Sequence, residues 1–148
     1  MRWLKIAAVA TVVVLVGIQW IPTPLNQGDA PADKDFIALY APPARIGMLL
    51  KTACYDCHSN HTDYPWYSRF QPVALFLGNH IEQGKKELNF SEFGDYSPRR
   101  QRSKLKAMAS QIMDGAMPLT SYKLIHWNAN LSKSDEKAIL TWLRTEVE

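Results

Sequence analysis

Two cysteines three positions apart, with a histidine directly after the second, are the residues of this chain best suited to chemistry: Cys54-Tyr55-Asp56-Cys57-His58. They are the only cysteines among 148 residues, and a disulfide between them would close too short a loop to restrain much of the chain. C-x-x-C-H is the spacing read as c-type haem attachment. Two thiols so placed reach the vinyl groups on one edge of a porphyrin as thioethers, and the next imidazole is left beneath the iron. His58 is therefore predicted as the proximal ligand, with its other ring nitrogen held by a backbone carbonyl. A thioredoxin-like pair needs a βαβ setting that is lacking here, and a tetrahedral zinc site needs more ligands; His61, the nearest spare imidazole, would crowd His58. The expected cofactor is one covalent haem c.

A sixth ligand has several candidates. Met117, followed by Pro118 in a loop, leads, because an extended loop can turn a thioether toward iron. His80 is the rival: an imidazole on an apolar helical face must be paired or liganded. An open site is the third option. Met108 and Met113 stand at helical spacing and read as core, and His126 beside Trp127 reads as a surface residue.

Positioning these groups requires helices, since the apolar residues recur at helical spacing and no strand is convincing. A short helix, Ala44–Lys51, follows Pro42-Pro43 and leads into the cysteines. A second runs from about Pro72 to Leu88 with Val73, Phe76, Leu77, His80 and Ile81 on its apolar face. The third starts at Ser97-Pro98, where serine caps and proline opens a helix, and carries Leu105, Met108 and Ile112 toward Gly115. The fourth starts at Ser132, with Asp135 completing an approximate capping box, and buries Ile139, Leu140, Trp142 and Leu143. The expected fold is all-α: a small cytochrome c-like helical domain around one haem, preceded by a transmembrane helix.

Trp3 to Ile21 is a run of nineteen residues broken by a single charge, Lys5. As a helix it measures roughly 28 Å, about one bilayer core. Arg2 lies before it and Lys5 near its start, with Asp29, Asp33 and Asp35 after it, so the positive-inside rule exports the rest, which predicts a bacterial inner-membrane protein with a periplasmic domain. A cleaved signal is the alternative; it exports the domain equally, but no small-residue cleavage site directly follows the run. The resulting division is 1–21 anchor, 22–35 tether rich in Pro and Asp that stands the domain off the membrane, and 36–148 haem domain. With 47% hydrophobic residues a packed core is expected. A formal charge of only +3, with acids interleaved among the bases, excludes an obvious nucleic-acid binder.

The motif order resembles the haem-binding domain family of bacterial membrane-tethered proteins, related in plan to class I cytochromes c. Its carriers are Cys54-Tyr55-Asp56-Cys57-His58-Ser59-Asn60, Tyr64-Pro65-Trp66-Tyr67-Ser68, Asn79-His80, Leu88-Asn89-Phe90-Ser91 and Met117-Pro118-Leu119, spanning roughly Ile46 to Leu143. The resemblance implies haem binding more firmly than any redox partner. Within it, Trp66 is expected to wall the haem and Arg69 to pair with a propionate; a loop packed on the core is the plainer alternative. Lys85, Lys86, Arg99, Arg100, Arg102, Lys104 and Lys106 form either a docking face for an acidic redox partner or a solvated helix face. The chain thus reads as a one-electron carrier rather than an enzyme. A haem-based sensor or small-ligand binder, and a peroxidase-like enzyme with His80 over an open distal site, are the alternatives.

Overall fold

A computed structural model describes residues 1–147. The described chain is all-helical apart from one isolated bridge, Gln27 with His61. Helix α1 (Arg2–Gly17) continues through a 3₁₀ turn to Trp20 and buries none of its side chains against the domain. An eighteen-residue stretch within Arg2–Trp20 has a mean hydropathy of 1.8, so the run is long and apolar enough to cross a membrane.

Helix α2 (Phe36–Tyr40) was not foreseen from periodicity, because it is only five residues long. Asp35 caps it, its Oδ1 accepting from the amides of Ile37 and Ala38, and the left-handed residue Ala41 ends it before Pro42. Helix α3 (Ala44–Leu50) runs straight into a π-helical turn, Lys51–Tyr55, and on into α4 (Asp56–His58). The wider turn gives Cys54 and His58 an angular spacing that a regular helix would not. Helix α5 (Val73–Glu87) starts one residue later than expected, with Pro72 at the N-cap position.

Helix α6 (Pro98–Met113) begins as predicted: the Arg100 amide donates to Ser97 Oγ. Its end departs from expectation at Met113, which is 72% exposed rather than core. Met108 and Ile112 are one turn apart on the buried face, and Met113 falls a further 100° round the helix. After α7 (Thr120–Lys123), α8 (Lys133–Val147) is opened by a reciprocal box in which the Ser132 amide donates to Asp135 Oδ2 and the Asp135 amide to Ser132 Oγ. Helices α6 and α8 pack together, and α8 also meets α3.

The core lies among α2, the 3₁₀ segment Phe90–Asp95, α6 and α8. Phe36 sits at its centre, 5.0 Å from the Phe90 ring, 4.8 Å from Phe93 and 5.9 Å edge-on from Trp142. Leu50, Leu105, Ile139 and Leu143 complete it, each essentially inaccessible. Each such side chain contributes about 1.5–3 kcal/mol on burial.

Segment 22–35 does not stand the domain off as a free tether. The Gly28 amide donates to Asn60 O at 2.8 Å, the Thr62 amide to Asn26 O at 3.0 Å, and Asn26 Nδ2 to Ser59 O at 2.9 Å. Polar, proline-broken sequence leaves backbone groups free of helix, and here they pair with an equally irregular loop directly after the cysteine motif.

Candidate functional site

The run α3–π turn–α4 presents Cys54, Cys57 and His58 against two neighbours, α5 and the segment after it. Contact with α5 is backbone-close at Gly84, where an added Cβ would lie 2.6 Å from the Cys57 carbonyl oxygen. From the C-cap of α5, the Leu88 carbonyl accepts from His58 Nδ1 at 3.0 Å. That bond fixes the tautomer and leaves Nε2 as the unprotonated nitrogen, able to ligate a metal. Burial holds the His58 pKa below its ordinary value, against the opposing pull of the Leu88 and Gly84 carbonyls, so the ring is neutral at pH 7.

Cys54, His58 and Met117 line one cavity of about 330 Å³, walled mainly by Ala53, Leu88, Phe90, Ala107, Met108, Ile112 and Pro118. Glu87, Lys104 and Gln111 supply its polar part. Met117 is brought there by a reversal at the end of α6: Gly115 takes φ 65°, and the amides of Ala116 and Met117 both donate to Gln111 O.

Cys57 lines a second, smaller cleft of about 80 Å³ with Tyr67, Phe76, His80, Leu119, Tyr122, Ile125 and His126. His80 is half-buried there, its Nδ1 against Phe76 O at 2.8 Å and its ring 4.1 Å from the Phe76 ring. It is thus paired within its own helix and lies outside the lining of the His58–Met117 cavity. Trp66 and Arg69, expected at the haem edge, are in neither lining; both are exposed, on the 3₁₀ turn Trp66–Arg69. That turn directs them away from the cysteines while Tyr67, between them, faces the cleft.

The two middle residues of the motif are each tied down by a phenol–carboxylate hydrogen bond. Tyr55 donates to Asp35 at 3.2 Å and stacks on Phe90, centroids 4.8 Å apart and 9° from parallel. Asp56 accepts from Tyr122 OH at 2.6 Å. His126, expected to be a surface residue, is half-buried, stacked on Tyr122 at 4.1 Å and hydrogen-bonded to Tyr67 OH. The signal for these pairings was absent from the sequence because the partners lie 20 and 66 positions apart.

Motif residues far apart in sequence meet in a buried amide cluster. Asn89 Nδ2 donates to Asn60 Oδ1 at 2.8 Å, Asn60 Nδ2 to Glu92 Oε1 at 2.9 Å and to Asp29 O at 3.0 Å, and the Asn60 amide to Ser91 Oγ. This locks Ser59-Asn60, just after His58, to Asn89-Phe90-Ser91, just after the carbonyl that orients His58.

The residues present fit a haem by the chemistry of their donors. An oriented neutral imidazole and a thioether share a mostly apolar cavity with the Cys54 thiol, and the Cys57 thiol, one turn on in the chain, lines the smaller cleft. Burial and the neighbouring Cys57 push the Cys54 thiol up to about 12; burial and the Asp56 carboxylate push Cys57 up to about 11. Both are thiols at neutral pH, unlike the lowered pair of a disulfide oxidoreductase. Among the described residues no group of three or more His, Cys, Asp or Glu is arranged to hold a metal ion directly.

No curated protein and no solved structure matches the chain. The profile of the haem-binding domain family matches residues 13–145, which takes in the membrane-compatible helix end, the cysteine motif, the Asn60–Asn89 cluster and Met117. On that match, over most of its length, the chain belongs to the haem-binding domain family.

Proposed function

We propose that this protein is a membrane-anchored electron carrier that holds one haem c through thioethers to Cys54 and Cys57, with His58 as proximal and Met117 as distal ligand. The observation that carries the reading is the shared cavity: His58, oriented by the Leu88 carbonyl, and Met117, delivered by the Gly115 reversal, line the same apolar space as Cys54. Haem supplies one-electron chemistry by cycling its iron between ferric and ferrous states.

The chain's own residues do the rest. Leu88 O keeps the proton on His58 Nδ1 and strengthens Nε2 as a ligand. Met108, Ile112, Phe90 and Pro118 exclude water, and a thioether in place of a second imidazole raises the reduction potential. His80 is disfavoured as the ligand because it lines the smaller cleft and not the cavity that His58 and Met117 share. A sixth position taken by Met117 would favour the carrier over a sensor or peroxidase.

Arg2 and Lys5 at the start of α1, and the acids after it, support export of the domain to the periplasmic side. Exposed Arg99, Arg102 and Lys106 on α6 support docking of an acidic redox partner. Lys85 and Lys86 contribute less, being engaged by Asn26 and Glu82.

The test is the optical spectrum of the full chain matured with covalent haem. The ferric protein is expected to show the far-red methionine-to-iron charge-transfer band, lost in Met117→Ala and kept in His80→Ala. Survival of the band in Met117→Ala would overturn the ligand assignment, and absence of covalent haem in the wild type would overturn the whole reading.

A further inference from the structure

The domain is fastened to the end of α1 rather than hung from it. Gln19 and Gln71 exchange hydrogen bonds: the Gln71 amide donates to Gln19 Oε1 at 3.0 Å, and Gln19 Nε2 to Gln71 O at 3.2 Å. The buried Gln71 side chain then reaches past α1, Nε2 donating to Ile21 O at 3.0 Å and to Thr23 Oγ1 at 2.9 Å, while its Oε1 accepts from the Leu75 amide. Gly78 admits Thr23 so closely that a Cβ there would lie 3.0 Å from the threonine methyl.

This clasp fixes a depth. The helical run Arg2–Trp20 is nineteen residues, about 28 Å, close to the thickness of a bilayer core, so Gln19 lies at the exit interface when α1 spans. Gln71 is in direct hydrogen-bond contact with Gln19 and shares its level. Its neighbours are what an interface takes up: Phe70 is 56% exposed, Trp66 76% exposed with its ring 6.2 Å from that of Phe70, and Val73 is exposed too.

Composition agrees independently of geometry. From Tyr64 to Ile81, eighteen residues, the only charged side chain is Arg69, and no acid occurs between Asp63 and Glu82. Exposed aromatics with one basic group and no carboxylate are the composition of a membrane-interface belt, with the guanidinium suited to lipid phosphate.

We propose that the turn carrying Trp66, Arg69, Phe70 and Val73 is seated in the headgroup layer of the bilayer that holds α1, so that the haem domain lies on the membrane in a fixed orientation. The inference rests on α1 spanning the bilayer and is independent of the haem ligands. Arg69 and Trp66 then serve the lipid surface rather than the haem edge.

The test places a photo-crosslinker in the full haem-loaded chain, in nanodiscs of phosphatidylethanolamine and phosphatidylglycerol, as Trp66→benzoylphenylalanine and, separately, Phe70→benzoylphenylalanine. Val13→benzoylphenylalanine in α1 reports on the anchor, and Lys137→benzoylphenylalanine, on an exposed position of α8, serves as background. Mass spectrometry after irradiation is expected to find lipid adducts at 66 and 70 in yields comparable to position 13, and none above background at 137. Lipid adducts at 13 without them at 66 and 70, or adducts there to protein or haem instead, would overturn the proposal while leaving the anchor intact. Absence of lipid adducts at 13 as well would overturn both.

Discussion

Replacing Gly84 with alanine sets two known effects against each other. Inside an unobstructed helix, glycine to alanine stabilises by about 1 kcal/mol, because glycine loses more backbone freedom on folding. At position 84 the new methyl would lie 2.6 Å from Cys57 O, 3.3 Å from the Cys57 carbonyl carbon and 3.4 Å from its Cβ. The obstructing atoms are backbone, anchored on both sides: Asp56 by Tyr122, and His58 by Leu88 O. Relief therefore requires α5 to move, at the upper end of the about 1–3 kcal/mol typical of overpacking. The net expectation for Gly84→Ala is a loss of about 1–2 kcal/mol, or a Tm lower by about 4–8 °C for a folded unit of this size. Gly47→Ala is the internal control, since its methyl, within α3, would meet Pro42 Cγ at 3.7 Å and Ile37 Cγ2 at 4.0 Å, both ordinary contacts. Both variants would be compared as the full haem-loaded chain by thermal and denaturant unfolding. A Gly84→Ala protein as stable as the wild type, or as Gly47→Ala, would refute the close approach of α5 to the cysteine motif.

Tyr122→Phe removes the donor to Asp56 and is expected to cost about 1.5–3 kcal/mol, as for hydrogen bonds to charged groups, measured by urea unfolding; an unchanged midpoint would show that the pair carries no stability. Asn60→Leu strands Asn89 Nδ2 in a buried setting, takes the donor away from Glu92 Oε1 and Asp29 O, and should destabilise by about 2–4 kcal/mol with loss of haem retention; retention at wild-type level would remove the cluster's role in holding the site. Without haem, His58 has a folded pKa below its unfolded value, so the unfolded chain binds more protons at acid pH. Its contribution to stability is full above the unfolded value of about 6.5 and is lost as pH falls through that value toward the folded one. The haem-free chain should therefore weaken on acidification more than its His58→Asn variant, and equal pH slopes would sink that assignment.

Local chemistry was legible in the sequence because it depends on near neighbours. The C-x-x-C-H spacing, the Ser97 and Ser132 caps, Gly115 as the helix stop, and the all-helical character all concern residues within one or two turns, and the structure reproduces the helical elements within a few positions. Periodicity also marked Leu105, Met108, Ile112, Ile139, Trp142 and Leu143, all of which are buried. It misled at Met113, which falls one residue, about 100°, past Ile112 and so off the buried stripe.

What the tertiary structure decided are the pairings between segments that carry no period. Segment 22–35 reads as a loose tether because proline and aspartate break any pattern, yet its amides and carbonyls pair with the loop at 59–64. Trp66 and Arg69 stand in a motif beside the cysteines in sequence, and a single 3₁₀ turn is enough to face them away from the cavity. Met117 leads His80 on its loop placement in the sequence; packing adds that Met117 shares a cavity with His58 while His80 lines the other cleft. The order of residues determined which groups can bind iron and which segments coil, since both are properties of single side chains and near neighbours. Which of those groups meet depended on loop closure and buried hydrogen bonds over 20 to 66 positions, and those contacts exist only once the core around Phe36 has formed.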